Sequence, residues 1–208
     1  MSPVILQGRL FQCKVIPQKK EKTELITYGW DDPLPPALKP EWESWVASLK
    51  ELHDLKIPRE FYPLSMTPAR QELHVFSDAS VEAIGYVAYL RTISTDMNVH
   101  VAFITSGSMV AHTGVNSVPR LELNAATEAA RGITAITSEL ERRPDSTFMY
   151  TDSMVVMGYV NNTHRNFPKY VERQVNVILD HNSADVWHYV TQIIMPLTLH
   201  HAALNQKH

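Results

Sequence analysis

The sequence predicts an α/β domain: one mixed sheet of five strands with flanking helices, preceded by a proline-rich, partly helical N-terminal segment. Three observations lead there. From Leu73, three runs rich in β-branched and aromatic residues follow one another across short polar breaks, the pattern of an antiparallel meander. After Ser117, long stretches with helical apolar spacing alternate with two short strand-like runs. Before residue 72, the stretch "GWDDPLPPALKP" cannot be regular helix or central strand, because proline removes a backbone donor and fixes φ.

Composition sets the limits. The 208 residues are 44% hydrophobic, enough for one main core and an appendage, without the signature of disorder or a fibrous repeat. A formal charge of -3 gives no global basic field, so nucleic-acid binding would have to come from local Lys and Arg clusters or from bound cations. Cys13 stands alone, which excludes an intramolecular disulfide and a cysteine-based zinc site and fits a reducing compartment. The ten histidines form no spaced metal motif. No apolar stretch suits a signal peptide, and no window approaches the roughly 20 apolar residues of a membrane span. The expectation is a soluble intracellular chain, cytoplasmic or nuclear, with no membrane partner.

Taken in order, the first element is "EWESWVASLKEL", where Trp42, Trp45, Val46, Leu49 and Leu52 recur at steps of three and four and make one apolar helical stripe. "IPREFYP" and "TPARQE" are proline-punctuated chain leading into "LHVFSDAS", the first strand. "AIGYVAYLR" and, past the turn residues "STDMN", "VHVAFITS" complete the meander. In "NSVPRLELNAATEAARGITAITSELERR", Ser117 is a natural N-cap with Pro119 in the first turn, and Glu122, Ala126, Ala129, Ile133, Ile136 and Leu140 share one face. "STFMYTDS" is a fourth strand ending in Asp152, "MVVMGYVNN" and "FPKYVERQVNVIL" are helices, and "DVWHYV" is a fifth strand.

Three acids stand out. Asp78 and Asp152 each end a strand, and Glu122 opens the apolar face of a helix. Taken singly, each has an ordinary structural explanation: an Asx turn for Asp78, an N-cap for Asp152, and compensation of the helix dipole for Glu122. Taken together, two acids at neighbouring strand ends and one on a helix packed over that sheet would crowd three carboxylates, which repel unless a divalent cation neutralises them. Magnesium and manganese prefer such oxygen ligands.

The order strand-Asp, hairpin, strand, helix-Glu, strand-Asp, helix resembles the ribonuclease H-like fold. More closely, "WDDPLP", "ELHVFSDAS", "GYVAYLR", "SVPRLELNAA", "YTDSMVV" and "WHYV" resemble the polyprotein of BEL/Pao long-terminal-repeat retrotransposons, from the end of the reverse transcriptase into its ribonuclease H-like region, over about Trp30 to Val190. The same region is also classed as a Pao retrotransposon peptidase. The resemblance implies residues 1–72 as a remnant of the reverse transcriptase thumb and connection with a linker, 73–190 as the ribonuclease H-like domain, and 191–208 as a divergent tail. It further implies hydrolysis of the RNA strand of an RNA/DNA hybrid with two magnesium or manganese ions. Asp78 would bridge both ions, and Glu122 and Asp152 would each complete one coordination sphere. Ser80 and Ser153 would sit at the rim of the nucleic-acid site, and Arg120 would meet a substrate phosphate or pair with a neighbouring acid.

Arg165, Lys169 and Arg173, four residues apart with His164 beside them, form a basic stripe that either follows a phosphate backbone or is a solvated face balanced by Glu172. One departure bears on activity. Beyond its W-x-x-V strand the family carries an Asn-x-Ala-Asp element supplying a fourth carboxylate, whereas no Asp or Glu occurs here from Thr191 to the end, and "NSAD" at 182–185 precedes the fifth strand. The expectation is therefore a nuclease impaired by a weakly held second ion, with Asp180 and Asp185 the nearest replacement acids in sequence. The alternative is a catalytically inactive nucleic-acid-binding or interaction remnant. An aspartic peptidase would need paired Asp-Ser/Thr-Gly turns, and neither Asp78-Ala79-Ser80 nor Asp152-Ser153-Met154 has its glycine.

Overall fold

A computed structural model describes residues 33, 35–50, 56–81, 83–111, 117–164 and 166–191. The chain divides into two units, Cys13–Ile57 and a larger one formed by Met1–Gln12 with Pro58–His208. In the smaller unit, helix α1 (Lys39–Ser48) carries Pro40 in its first turn, where the missing N–H has no intrahelical partner to lose. The Trp42 and Trp45 rings lie 4.9 Å apart, and Trp42 is half exposed. Leu52, expected to end that stripe, lies outside the described residues.

The larger unit is built on a five-stranded sheet of order β3-β2-β1-β4-β5. Strands β1 (Pro68–Ala79), β2 (Ala83–Ser94) and β3 (Val99–Val110) form the expected antiparallel meander. The first turn closes through Ser80 N–H to Ala83 O, and the second through Ser94 and Asn98 with Met97 at φ 63°. Helix α2 (Val118–Glu139) connects β3 to β4 (Ser146–Thr151), which runs parallel to β1. Helices α3 (Met154–Val160) and α4 (Lys169–His181) and a 3-10 turn (Ala184–Val186) lead to β5 (Trp187–Tyr189), parallel to β4. β1 starts at Pro68, ahead of the Leu73 read from the sequence. Proline is tolerated there because it is the first strand residue and a register shift separates Pro68 from Arg70.

Period-two alternation assigns the two faces of the sheet. Leu73, Val75 and Met149 enter the core with Leu123, Ala126, Ala129, Ala130 and Ile133 of α2 and Val175 and Ile178 of α4. The buried part of α2 is wider than the predicted stripe, taking in Leu121, Leu123, Ala125 and Ala130, because α2 packs against α4 as well as β1 and β2. The opposite face carries an aromatic layer in which Phe76 stacks on Tyr150 at 4.6 Å and His74 on Phe148 at 5.0 Å.

Within that layer the Glu72 carboxylate is held by Arg91 Nη1 at 2.6 Å, Arg70 Nε at 3.0 Å and His74 Nε2 at 3.4 Å. Burial alone would raise Glu72, but the Arg91 hydrogen bond and charge outweigh it, with help from His74 and Arg70, so its pKa is lowered. Burial lowers that of His74, whose Nδ1 lies 3.1 Å from Tyr150 Oη. Burial first, and then Glu72, pushes Tyr150 up to about 12. Among the described residues no helix is long and apolar enough to cross a membrane.

Candidate functional site

The last residues paired between β1 and β4 are Ser77 and Thr151. Because these strands are parallel neighbours, the next residues, Asp78 and Asp152, leave that pairing together at one end of the sheet. Glu122, in the second turn of α2, reaches the same end. The N-terminal half of α2 is fixed there by a small core in which Leu121 and Ala125 pack with Ile84, Ala111 and Ala79. The three acids are partly buried, and Asp152 lies within electrostatic reach of the other two: burial first, then the charges of Asp78 and Glu122, raise its carboxyl above the ordinary range.

Other groups take over the ordinary structural jobs of two of these acids. The N-cap of α3 is Ser153, whose Oγ accepts from Val156 N at 3.1 Å, so Asp152 does not cap the helix. No acid lies in the first turn of α2, which takes Glu122 out of the position where a carboxylate best offsets the helix dipole. Its Oε2 instead accepts a 2.5 Å hydrogen bond from Ser153 Oγ.

Both expected rim residues have their hydroxyls engaged within the fold. Ser153 is 3% exposed, with its hydroxyl used inside the fold, so it cannot touch a ligand at a rim. Ser80 is exposed, but its Oγ closes the first hairpin, donating to Ala83 O at 3.2 Å and accepting from Ala83 N at 3.1 Å. Arg120 pairs with no acid among the described residues. Its guanidinium lies 5.2 Å over the Tyr170 ring, and Tyr170 Oη donates to Asn124 Oδ1. Lys169 and Arg173 are exposed one turn apart at the start of α4, without ion pairs among the described residues, and Arg165 lies outside those residues.

Neither candidate for a fourth acid reaches the site. Asp180 is in the last turn of α4, where the neighbouring His181 Nδ1 lies 3.0 Å from Thr134 Oγ1. Thr134 is about 18 Å along α2 from Glu122, at 1.5 Å rise per residue. Asp185 precedes β5, whose register sets Trp187 against Met149, so it sits toward the opposite end of the sheet from Asp152. Val190 N donates to Thr151 O at 3.0 Å, which brings the chain back to the carboxylate end. The tail from 192 onward lies outside the described residues.

A divalent cation is the group this donor set would take. Three carboxylates, two of them within electrostatic reach of Asp152, with no sulfur or imidazole among them, match the oxygen preference of magnesium and manganese. As they stand, no group of three or more His, Cys, Asp or Glu residues among the described residues is arranged to hold an ion. The fit is therefore one of donor chemistry and charge.

A mixed sheet ordered 3-2-1-4-5, with acids at the adjacent ends of β1 and β4 and on the connecting helix, defines a ribonuclease H-like domain. The family model for the Pao retrotransposon-like RNaseH-like domain matches residues 1–153, and the chain belongs to that family. All three acids fall inside the matched span.

Among solved structures, ribonuclease H1 from the halophilic archaeon Halobacterium salinarum NRC-1 is similar at 12% identity and TM-score 0.36, over 66% of this chain and 98% of that one. LC11-RNase H1 in complex with an RNA/DNA hybrid is similar at 8% identity and TM-score 0.37, over 60% and 87%. The foamy viral protease-reverse transcriptase in complex with dsDNA is similar at 14% identity and TM-score 0.45, over 80% of this chain and 31% of the viral one. No curated protein matches the sequence.

Proposed function

We propose that this chain binds RNA/DNA hybrids and cleaves their RNA strand weakly, using divalent cations held by Asp78, Glu122 and Asp152. The observation carrying this reading is the parallel β1–β4 register, which brings two acids together at one end of the sheet, with Glu122 close enough to perturb Asp152. The chemistry a cation supplies at such a site is activation of a water and neutralisation of charge developing on the phosphate.

The protein's own part is to bring three like-charged groups to one end of the sheet. Burial first, and then the charges of Asp78 and Glu122, disfavour the charged form of Asp152, a cost that a bound cation would offset. Lys169 and Arg173 offer an exposed basic edge for a phosphate backbone, with Arg120 held over Tyr170 nearby in the α2–α4 contact. Cleavage is weak in this reading because Asp180 and Asp185 lie away from the three acids, leaving a second cation with few protein ligands.

The test is a labelled RNA/DNA hybrid incubated with the full chain and magnesium or manganese. The expected result is retained hybrid binding with slow cleavage that is faster in manganese and lost in Asp152→Asn. Brisk magnesium-dependent cleavage would overturn the impairment, and absence of hybrid binding would overturn the nucleic-acid reading altogether.

A further inference from the structure

We infer that Ser153 is a positioning residue: one buried hydroxyl caps α3 and at the same time fixes the Glu122 carboxylate for cation binding. The inference rests on reading Asp78, Glu122 and Asp152 as cation ligands and adds a residue that touches neither ion nor substrate.

A serine hydroxyl has a single proton and two lone pairs. One lone pair of Ser153 Oγ is taken by Val156 N–H at 3.1 Å, an amide that the start of α3 cannot satisfy internally. With the amide on that side, the proton goes to Glu122 Oε2, 2.5 Å away, in a short bond to a charged acceptor. The Ser153 backbone is itself held, its N–H donating to Thr151 Oγ1 at 3.2 Å, and the residue is 3% exposed. The end of β4 and the second turn of α2 are thereby joined through one oxygen atom.

Left alone, Glu122 is a flexible side chain facing the repulsion of Asp152. Anchoring Oε2 selects one rotamer and leaves Oε1 outside that bond. Capping alone would not call for this residue, since an aspartate would cap α3 as well, but it would donate nothing to Glu122 and would add a further negative charge.

Three variants of the full chain separate the roles, read as the Mn2+ concentration giving half of the cation-induced rise in melting temperature. Ser153→Thr keeps donor and acceptor. Ser153→Gly keeps most of the capping preference but has no hydroxyl, and Ser153→Ala loses both. The expected pattern is an unchanged midpoint for Ser153→Thr and a midpoint raised on the order of tenfold for both Ser153→Gly and Ser153→Ala, the usual cost of removing a group that orients a metal ligand. Without metal, Ser153→Ala should melt lower than Ser153→Gly. Should Ser153→Ala fail to fold, the threonine and glycine variants still decide. A wild-type midpoint in Ser153→Gly would overturn the positioning role while leaving the cation reading intact. A wild type whose melting temperature Mn2+ never raises would overturn the cation reading and this inference with it.

Discussion

The phenol of Tyr86, on β2, lies against the bare backbone of Gly132, on α2, so closely that a Cβ at residue 132 would stand 2.5 Å from Tyr86 Cζ. Gly107 on β3 confines the same ring from another side, where a Cβ would stand 2.9 Å from Cζ. In a helix interior, Gly to Ala normally gains up to about 1 kcal/mol, whereas forcing a methyl into a filled space costs about 1–3 kcal/mol. Gly132→Ala should therefore destabilise by about 1–2 kcal/mol in a denaturant titration, the helix gain offsetting part of the overpacking cost, and should become harmless in a Tyr86→Leu background. Gly158, in α3 with nothing within 4 Å of its would-be Cβ, is the contrast: Gly158→Ala should stabilise by about 0.5–1 kcal/mol.

Asp152 makes stability depend on pH in a defined direction. Its folded pKa is raised above the ordinary 3.8, so the native state holds its proton more tightly than the unfolded state does. That contribution to stability is complete below about 3.8 and disappears as pH rises through the folded value. Asp152→Asn removes this slope, and the metal-free variant should be at least as stable as wild type at neutral pH. Unfolding free energies measured between pH 3 and 7 with chelator present would show it. A variant with an unchanged profile would contradict the placement of Asp152 beside two charges.

Divalent cations should stabilise the wild type by mass action, about 2.7 kcal/mol at one hundred times the dissociation constant. Asp152→Asn should lose most of that gain. Scanning calorimetry across magnesium and manganese concentrations reads it directly. A flat response at every concentration would mean that the three acids are not a cation site.

Glu72 is the stability counterpart on the far face of the sheet. Removing it leaves Arg91 with a largely buried, unbalanced charge whose Nε has no hydrogen-bond partner among the described residues. Glu72→Ala should cost about 3–5 kcal/mol, the range for breaking a buried pair from one side. Because the folded pKa of Glu72 is lowered below 4.5, its contribution is present above that value and lost as pH falls through the folded one. A melting temperature within a degree of wild type would show that the cluster contributes little.

Lys169→Ala and Arg173→Ala should each weaken hybrid binding without regard to base sequence. Each should also reduce the slope of log affinity against log salt by about one. An unchanged salt slope in the double variant would remove α4 from the nucleic-acid surface.

What the sequence made legible follows from which interactions are local. Strand alternation and helical spacing are short-range, so the meander, the three longer helices of the sheet-bearing unit and the strand-ending positions of Asp78 and Asp152 could be read directly. Strand adjacency came from the order of the motifs. Choosing the cap of α3 was harder, because Asp152 and Ser153 are both good capping residues and only the tertiary position of Glu122 favours the serine. The Glu72, Arg91, His74 and Tyr150 network depends on register across three strands, and the Arg120 stack on Tyr170 joins two helices fifty positions apart. Neither leaves a local pattern. The early start of β1 was hidden by Pro68, which punctuates the sequence but is compatible with a strand's first residue.

The parallel pairing of β1 with β4 also dictates when the site can exist. The meander grows from neighbouring residues through two tight turns, a kinetically cheap process. β4 can join β1 only after the intervening strands and the whole of α2 have been laid down, a long loop to close. Until that late docking, Asp78 and Asp152 are strangers in the chain. The repulsion between them arises only when β4 docks beside β1, so the meander alone carries neither the strain nor the chemistry of the finished domain.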